Sequence, residues 1–488
     1  MINKEDLQDL MSKRIRDRMF LVVSNRQPYV HMLHEGEIKC LKPPSGVTVA
    51  IDPVMRACGG TWVAHGHGTA DRDVSDEKGR VKVPPESPKY TLRRVWLTKE
   101  EEDGYYYGFS NEALWPLCHI AYTRPTFNQS DWEYYVKVNQ KFADAIIDEV
   151  GNRECFIFVQ DYHFALLPRL LKQARKDLIV AQFWHIPWPN PEVFRICPWR
   201  HEILDGLLGN DLLGFHIQYH CNNFVDTVDR ELEARCDREH FIIYYKGEPT
   251  TIRPFPISID FNELSHLGST PEVAEEIKSL ERRYHLKDKL IGIGIDRIDY
   301  TKGIPERFQA IDRFLANNPQ YHERFVFVEL GVPSRTHIQA YKQLNDHLEG
   351  MAEEINWKYQ TSRWRPILFV QEHCSFRTLQ AFHRMASFCL VTSLHDGMNL
   401  VAKEFIATRS DERGVLILSH FTGASRQLSE ALLVNPYAVD SVAEVIKEAL
   451  EMPEEEQVRR MRKLRANVSE ENIYYWISEI IKEITKLT

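Results

Sequence analysis

The sequence predicts an α/β protein: two Rossmann-like domains facing across a cleft. Three observations carry that expectation. Apolar runs of strand length alternate with amphipathic helical stretches along the whole chain, the pattern that gives parallel sheets covered by helices. The chain has 488 residues, and a single core stops growing near ~250–300 residues. Charged and aromatic residues repeatedly follow the apolar runs directly, and open α/β sheets bind ligands outside the carboxyl ends of their strands. Neither half carries a G-x-G-x-x-G.

The N-terminal twenty residues read as a charged amphipathic helix rather than a signal peptide. Met19 to Ser24 is the first strand, stopped by Pro28, with Arg26 at its end; a solvated surface arginine is the competing explanation there. Pro43-Pro44-Ser45-Gly46 opens a helix over Val47–Val54, and Ser45-Gly46 could cradle an anion at that helix start. Gly59 to Ala64 forms a strand that runs into a Gly/His loop, His65 to Gly68. A third ligand at metal spacing is missing near that His-x-His pair, so it implies no metal.

Thr91–Leu97 is a strand, and an aromatic segment follows with Tyr105, Tyr106, Tyr107 and Trp115. Such a cluster packs a core or lines a sugar or phosphate site, since Tyr and Trp offer a flat face with a polar edge. Ser130 caps a helix carrying Tyr134, Val138, Phe142 and Ile146 at helical spacing. Cys155–Val159 and Leu178–Phe183 are buried strands that end in Asp161 and His185. Either residue alone could be a cap or a packed loop residue. Twice, however, a strand delivers Asp or His to its carboxyl edge, which is how an α/β site is built.

After strands at Asp211–Phe215, Phe241–Tyr245 and Thr250–Arg253, the prolines of Phe255–Ile257 mark a linker, and the boundary falls near 257–262. The second half opens on Leu290–Ile295, with alternating Ile and Gly; glycine at two positions lets a neighbour approach the backbone closely. Arg297, Asp299, Tyr300 and Lys302 crowd its carboxyl end. Arg297 and Lys302, five residues apart, suit a diphosphate, one as a planar fork and the other as a point charge. A helix over Ile304–Leu315, a strand at Phe325–Leu330, a long helix over Ser334–Glu354, and strands at Leu368–Val370, Phe388–Thr392 and Leu416–Ser419 follow. Asp396-Gly397 makes a tight entry to another helix, whose first-turn N–H groups are free for an anion. Glu404 lies about two helical turns further on, on a similar face, and suits ribose hydroxyls. An N-cap with a surface glutamate is the alternative. The tail, Asn472–Leu487, is an amphipathic helix.

Composition excludes several classes. A net charge of −9 gives no reason to expect nucleic acid or an anionic membrane. No apolar run reaches the ~18 residues of a membrane span. Nine scattered cysteines without a C-x-x-C indicate a reducing compartment and no disulfide framework.

DRIDYTKGIPERF and HDGMNLVAKEF, in that order and joined by VVSNRQP, LWP, QDYH, HIPWP, LLGFH and VNPY, resemble the trehalose-6-phosphate synthase family from about residue 20 to 485. These are retaining glycosyltransferases of the B-type fold. The resemblance implies an acceptor domain at 1–258, with a C-terminal helix at 470–488 packing back onto it, and a nucleotide-sugar domain at 259–469. It implies Arg297 and Lys302 as donor-diphosphate ligands, Gly46 and the backbone of Met398, Asn399 and Leu400 as further donor contacts, and Glu404 as ribose ligand. Asp161, His185 and Asp396 match residues around the transferred glucose. Arg26, Tyr106, Trp115 and Arg335 match those gripping the acceptor phosphate, with Trp62 near the acceptor.

The implied reaction moves glucose from a nucleotide-glucose, UDP-glucose first, to glucose 6-phosphate with retention, in the cytoplasm, with no cofactor or metal. The implied partners are those two substrates, with neither nucleic acid nor membrane, and homo-oligomerisation is left open. Ser45-Gly46-Val47 stands where the family has Gly-Gly-Leu, AHGHG where it has Trp-Ser-Gly, Ser258 for Gly, and Gln427 for Glu. These departures keep in view a glucosylglycerol-phosphate synthase acting on glycerol 3-phosphate. Two alternatives remain besides: a silent regulatory homologue, opposed by the presence of Arg297, Lys302, Asp396, Glu404, Asp161 and His185, and another B-type enzyme such as a sugar-nucleotide epimerase, opposed by the complete acceptor-phosphate set. The donor nucleotide among UDP, ADP and GDP is not fixed by sequence.

Overall fold

The structure, a computed structural model, describes residues 2–15, 17–43 and 46–487. The chain divides into two units, Met1–Ile257 with Ile473–Thr488, and Ser258–Asn472. Each is a Rossmann-like α/β layer structure. Among the described residues no helix is long and apolar enough to cross a membrane, and all nine cysteines are free.

In the first unit the strands are β1 (Met19–Arg26), β2 (Val30–His34), β3 (Glu37–Leu41), β4 (Thr61–His65), β5 (Arg80–Val83) and β6 (Tyr90–Val95). They continue as β7 (Cys155–Gln160), β8 (Ile179–Phe183), β9 (Leu212–Phe215), β10 (Arg235–Asp237), β11 (Ile242–Tyr245) and β12 (Glu248–Pro254). Among the described residues they build a ten-stranded sheet in the order β10-β11-β12-β9-β8-β7-β1-β4-β6-β5, with β2 and β3 apart as a hairpin. From β12 to β6 every neighbour is parallel; the edges are antiparallel. β1 and β7 are buried almost throughout, as expected of strands covered on both faces. Among the parallel strands, chain order runs outward from β1 in both directions. The carboxyl ends of β1 and β7 therefore flank the point where strand order reverses, the usual ligand position in such sheets. The tail helix Ile473–Ile484 seals the unit: Trp476 donates its indole N–H to the Phe255 carbonyl at 3.1 Å and meets the Phe183 ring edge-on.

The second unit holds β13 (Leu290–Arg297), β14 (Phe325–Val332), β15 (Ile367–Val370), β16 (Phe388–Val391), β17 (Val415–Ser419) and β18 (Leu432–Val434). Its six-stranded order, β15-β14-β13-β16-β17-β18, is parallel throughout and reverses between β13 and β16. Gly294 explains the glycine spacing of β13. A Cβ there would come within 2.3 Å of both Arg307 Nη1 and Glu329 Oε2, so its absence makes room for a buried ion pair.

Three local expectations change. Ser130, expected as a cap, lies inside the helix Gln129–Val150, whose cap position is Asn128. The helix expected over Ser334–Glu354 spans Gln339–Tyr359. Arg335 sits at φ 51°, a left-handed conformation that a helix cannot contain. The aromatic segment, which carries no regular strand or helix spacing, winds as a wide helix with i→i+5 bonding over Asp103–Leu114.

Candidate active site

At the switch point of the second unit, β13 delivers Arg297 and the chain turns through Tyr300–Lys302. Gly303 then passes against β16 at φ 62°, where a Cβ would lie 2.2 Å from the Thr392 carbonyl oxygen. That close passage holds Lys302 beside the loop after β16. Lys302 Nζ lies 2.6 Å from Asp396 Oδ2, with both side chains about 85% buried (13% and 15% exposed). Burial alone would push the Lys302 ammonium down; Asp396 and Asp296 beside it more than offset that, and its pKa lies above the usual lysine value. Ser393 Oγ at 3.2 Å and Asn399 Nδ2 at 3.3 Å donate to the same Asp396 oxygen.

Asn399 caps the helix Leu400–Thr408, its Oδ1 accepting the Ala402 N–H at 3.0 Å. The side chain thereby fixes the loop holding Met398, which is buried, and the start of the helix at Leu400. Glu404 follows on the same helix, half-buried, its carboxyl pushed up to about 7 by burial.

A buried network underlies this site. Arg307 is fully buried; Nη1 meets both Glu329 oxygens at 2.8 Å, Nη2 meets Asp296 at 2.7 Å, and Nε donates to Thr392 Oγ1 at 3.0 Å. Thr392 in turn donates to the Gly303 carbonyl at 3.0 Å. The guanidinium thus ties β13, β14 and β16 together beneath Lys302. Sequence reasoning missed it: an arginine in a helix's first turns reads as exposed, and only paired glycine and carboxylate spacing on neighbouring strands hints otherwise. Arg335, in the loop after β14, is buried, and its Nη1 donates to Tyr341 at 2.5 Å and Asp299 at 3.3 Å.

In the first unit Arg26 ends β1, and its Nη2 donates to Tyr106 Oη at 3.0 Å. The wide helix re-aims Tyr106, which stacks on His163 at 5.6 Å. Trp115 follows at the same segment's end, buried against Tyr162. Trp62 requires a correction. It lies inside β4 and stacks on Tyr90, and its ring has no exposed surface to offer a ligand. It acts one step removed: its indole N–H donates to Ser24 Oγ at 2.8 Å, and Ser24 donates to the Arg26 carbonyl at 2.7 Å, fixing the bulge that carries Arg26. The residue level with Arg26 on β4 is His65. Burial, with His67 beside it, pushes the His65 imidazole down to about 4. Among the described residues no group of three or more His, Cys, Asp or Glu could hold a metal ion.

Asp161 sits at φ 73° after β7, its Oδ1 accepting the Tyr162 N–H at 2.9 Å and the His185 N–H at 3.2 Å. His185 follows β8; its Nε2 donates to Gln160 Oε1 at 2.9 Å, and burial pushes the imidazole down to about 3, so the ring stays neutral. Gly46 opens the helix Gly46–Cys58, exposed, while Ser45 lies outside the described residues.

Chemically, the second unit offers a paired cation, an arginine and a helix N-terminus, which suit a diphosphate. The first unit offers a fixed carboxylate, a neutral imidazole and an Arg–Tyr pair. Residues 18–486 match the glycosyltransferase family 20 pattern. The chain is 34% identical to a Candida albicans alpha,alpha-trehalose-phosphate synthase (UDP-forming), over 96% of this chain and 97% of that one. An E. coli structure named for trehalose-6-phosphate, bound with UDP-2-fluoro glucose, superposes with a TM-score of 0.86 at 30% identity, covering 96% and 99%. A Burkholderia xenovorans alpha,alpha-trehalose-phosphate synthase (UDP-forming) in complex with glucose-6-phosphate does so with 0.86 at 28%, covering 96% and 99%.

Proposed function

The chain belongs to glycosyltransferase family 20, and from that premise we propose that it transfers glucose from UDP-glucose to glucose 6-phosphate with retention, giving trehalose 6-phosphate. Its two Rossmann-like units make the B-type glycosyltransferase fold. The observation carrying the reading is the meeting of Lys302 with Asp396 at 2.6 Å at the switch point, beside Arg297 and the helix start at Leu400.

Arg297 and Lys302 take the donor diphosphate, with the loop amides of Met398–Leu400, and the Gly46 backbone is proposed as a further donor contact. Glu404 takes ribose hydroxyls; burial raises its pKa, and hydrogen bonds donated by those hydroxyls favour the ionised carboxylate. As the bond from glucose to the diphosphate breaks, negative charge gathers on the leaving oxygen, and the two cations and the helix terminus are already placed to stabilise it. The acceptor hydroxyl attacks from the same face and hands its proton to that departing oxygen, so no covalent enzyme nucleophile is required. Asp396 and Asp161 accept hydrogen bonds from the transferred glucose, and His185, neutral, does the same work without titrating. Arg26, Tyr106, Trp115 and Arg335 recognise the acceptor's phosphate.

The test is UDP release from UDP-glucose with and without glucose 6-phosphate, with the product's anomeric configuration read by NMR. Acceptor-dependent release with retention is expected. Release equal with and without acceptor, or none with any nucleotide-glucose, refutes the reading. Glycerol 3-phosphate belongs in the same assay, because His65, level with Arg26 at the end of β4, belongs to the AHGHG segment that departs from the family. Preference for it would change the acceptor and leave the donor chemistry standing.

A further inference from the structure

One buried carboxylate touches both halves of the chemistry in the second unit. Asp299 has no exposure, and its two oxygens face different groups. Oδ1 accepts from Thr301, N–H at 3.0 Å and Oγ1–H at 2.9 Å, inside the turn that ends in Lys302. Oδ2 accepts from Arg335 Nη1 at 3.3 Å and from Tyr341 Oη at 3.2 Å. Tyr341 Oη also accepts from Arg335 Nη1 at 2.5 Å, which closes a triangle, and the guanidinium lies over the Tyr341 ring. Tyr341 and Thr301 are themselves buried, so water does not compete for these bonds. Arg335 is held at φ 51°, a conformation costly for a side chain of its size unless its surroundings fix it. Burial alone would raise the Asp299 carboxyl; Arg335 and Arg297 beside it more than offset that, and it stays ionised.

We propose that Asp299 is a positioning residue with two separable arms, one setting the Lys302 turn for the donor diphosphate and the other setting Arg335 for the acceptor phosphate. The inference rests on the functional reading above, which gives Lys302 and Arg335 those roles. A carboxylate that merely packed the core would not divide its bonds this way. For such a packing carboxylate, loss of either bond set would weaken both substrates alike. In the proposed arrangement each oxygen governs one substrate, so removing a single hydroxyl has a one-sided effect.

Three variants test this: Thr301→Val, Tyr341→Phe and Asp299→Asn, each assayed for donor KM and for the ratio of kcat/KM with glucose 6-phosphate to that with free glucose. Removing one hydrogen bond to a charged group changes an equilibrium by roughly 10-fold. Thr301→Val is expected to raise donor KM by about 3- to 10-fold and leave the acceptor ratio within ~2-fold. Tyr341→Phe is expected to shrink the ratio by about 3- to 10-fold and leave donor KM within ~2-fold. Asp299→Asn does both. In an Arg335→Ala background the ratio effect of Asp299→Asn disappears, because its target is gone, while the donor effect remains. Should Asp299→Asn fail to fold, the two single-hydroxyl variants decide. Equal losses for both acceptors with unchanged donor KM, or no split between the two arms, overturn the inference while leaving the functional reading intact. A wild-type enzyme that fails to distinguish glucose 6-phosphate from glucose overturns the reading itself.

Discussion

Removing Lys302 does two things at once, and the structure allows them to be separated. Its ammonium is 2.6 Å from Asp396, so Lys302→Ala deletes a donor to the diphosphate and also uncovers a carboxylate beside it. The deleted bond, to a charged group, is worth roughly 1.5–3 kcal/mol. A diphosphate oxygen held by another proton of the same ammonium would lie roughly 5 Å from the carboxylate, given ordinary N···O distances of about 2.8 Å. Two like charges at that separation repel by about 3 kcal/mol at an effective dielectric near 20. Lys302→Ala should therefore weaken UDP binding by ~100-fold or more. Neutralising the exposed carboxylate in Lys302→Ala/Asp396→Asn should restore about 1.5 kcal/mol or more, making the double variant at least ~10-fold tighter than the single one. Isothermal titration calorimetry with UDP alone reads this without depending on turnover, which Asp396→Asn is expected to lower by itself. If the double variant binds UDP no more tightly than Lys302→Ala, the assignment of Lys302 and Asp396 to one diphosphate site is wrong.

Other outcomes follow from the same geometry. Arg307→Met leaves Glu329 and Asp296 buried without their cation and should destabilise the second unit by about 3–5 kcal/mol, seen as a lower urea midpoint; a change under ~1 kcal/mol refutes the network's role. Lys403 is buried against Gln427 at 2.8 Å, and burial, only partly opposed by Glu471, pushes its pKa down to about 7. Its unfolded value is 10.5, so between pH 7 and 10 the unfolded chain binds the extra proton and this residue's contribution to stability rises with pH. Measured by urea unfolding, wild type should gain up to about 2 kcal/mol on Lys403→Met between pH 7.5 and 9.5, and a gap that stays flat or narrows refutes it. Turnover should survive excess EDTA, since two cations and a helix terminus supply the positive charge; abolition by chelator overturns the metal-free mechanism.

The fold class was legible because its signal is local and repeated. Strand-length apolar runs, each followed by charge, recur along both halves, and each run places its successor residues at a sheet edge. Arg297 and Lys302 share one such edge and so stood out without any knowledge of the fold. Their meeting with Asp396 did not, because the partners are 94 residues apart in sequence. Only the strand order β14-β13-β16 makes the two loops neighbours. Trp62 shows the opposite error. Motif likeness placed it near a ligand, but it sits within β4, and burial is decided by register rather than by residue type. The Arg335 conformation was equally hidden, because nothing in VPSRTHI announces a left-handed arginine.

Donor and acceptor residues differ in how they are built, and this bears on which of them sequence can specify. The donor set hangs on the central strands of one sheet, tied by the buried Arg307 network, so altering any member disturbs packing that the whole unit needs. Around Arg26 the supports are shorter. A bulge is fixed by the Ser24 hydroxyl, a wide helical turn presents Tyr106, and His65 stands level with Arg26 at the end of β4. The end of a strand can exchange one aromatic side chain for another while the parallel pairing of the sheet is kept. Acceptor choice can therefore drift while donor chemistry stays fixed. The two long donor motifs read clearly in this chain, whereas its departures from the family fall outside them, at Ser45–Val47, in the AHGHG segment that ends β4, at Ser258 and at Gln427.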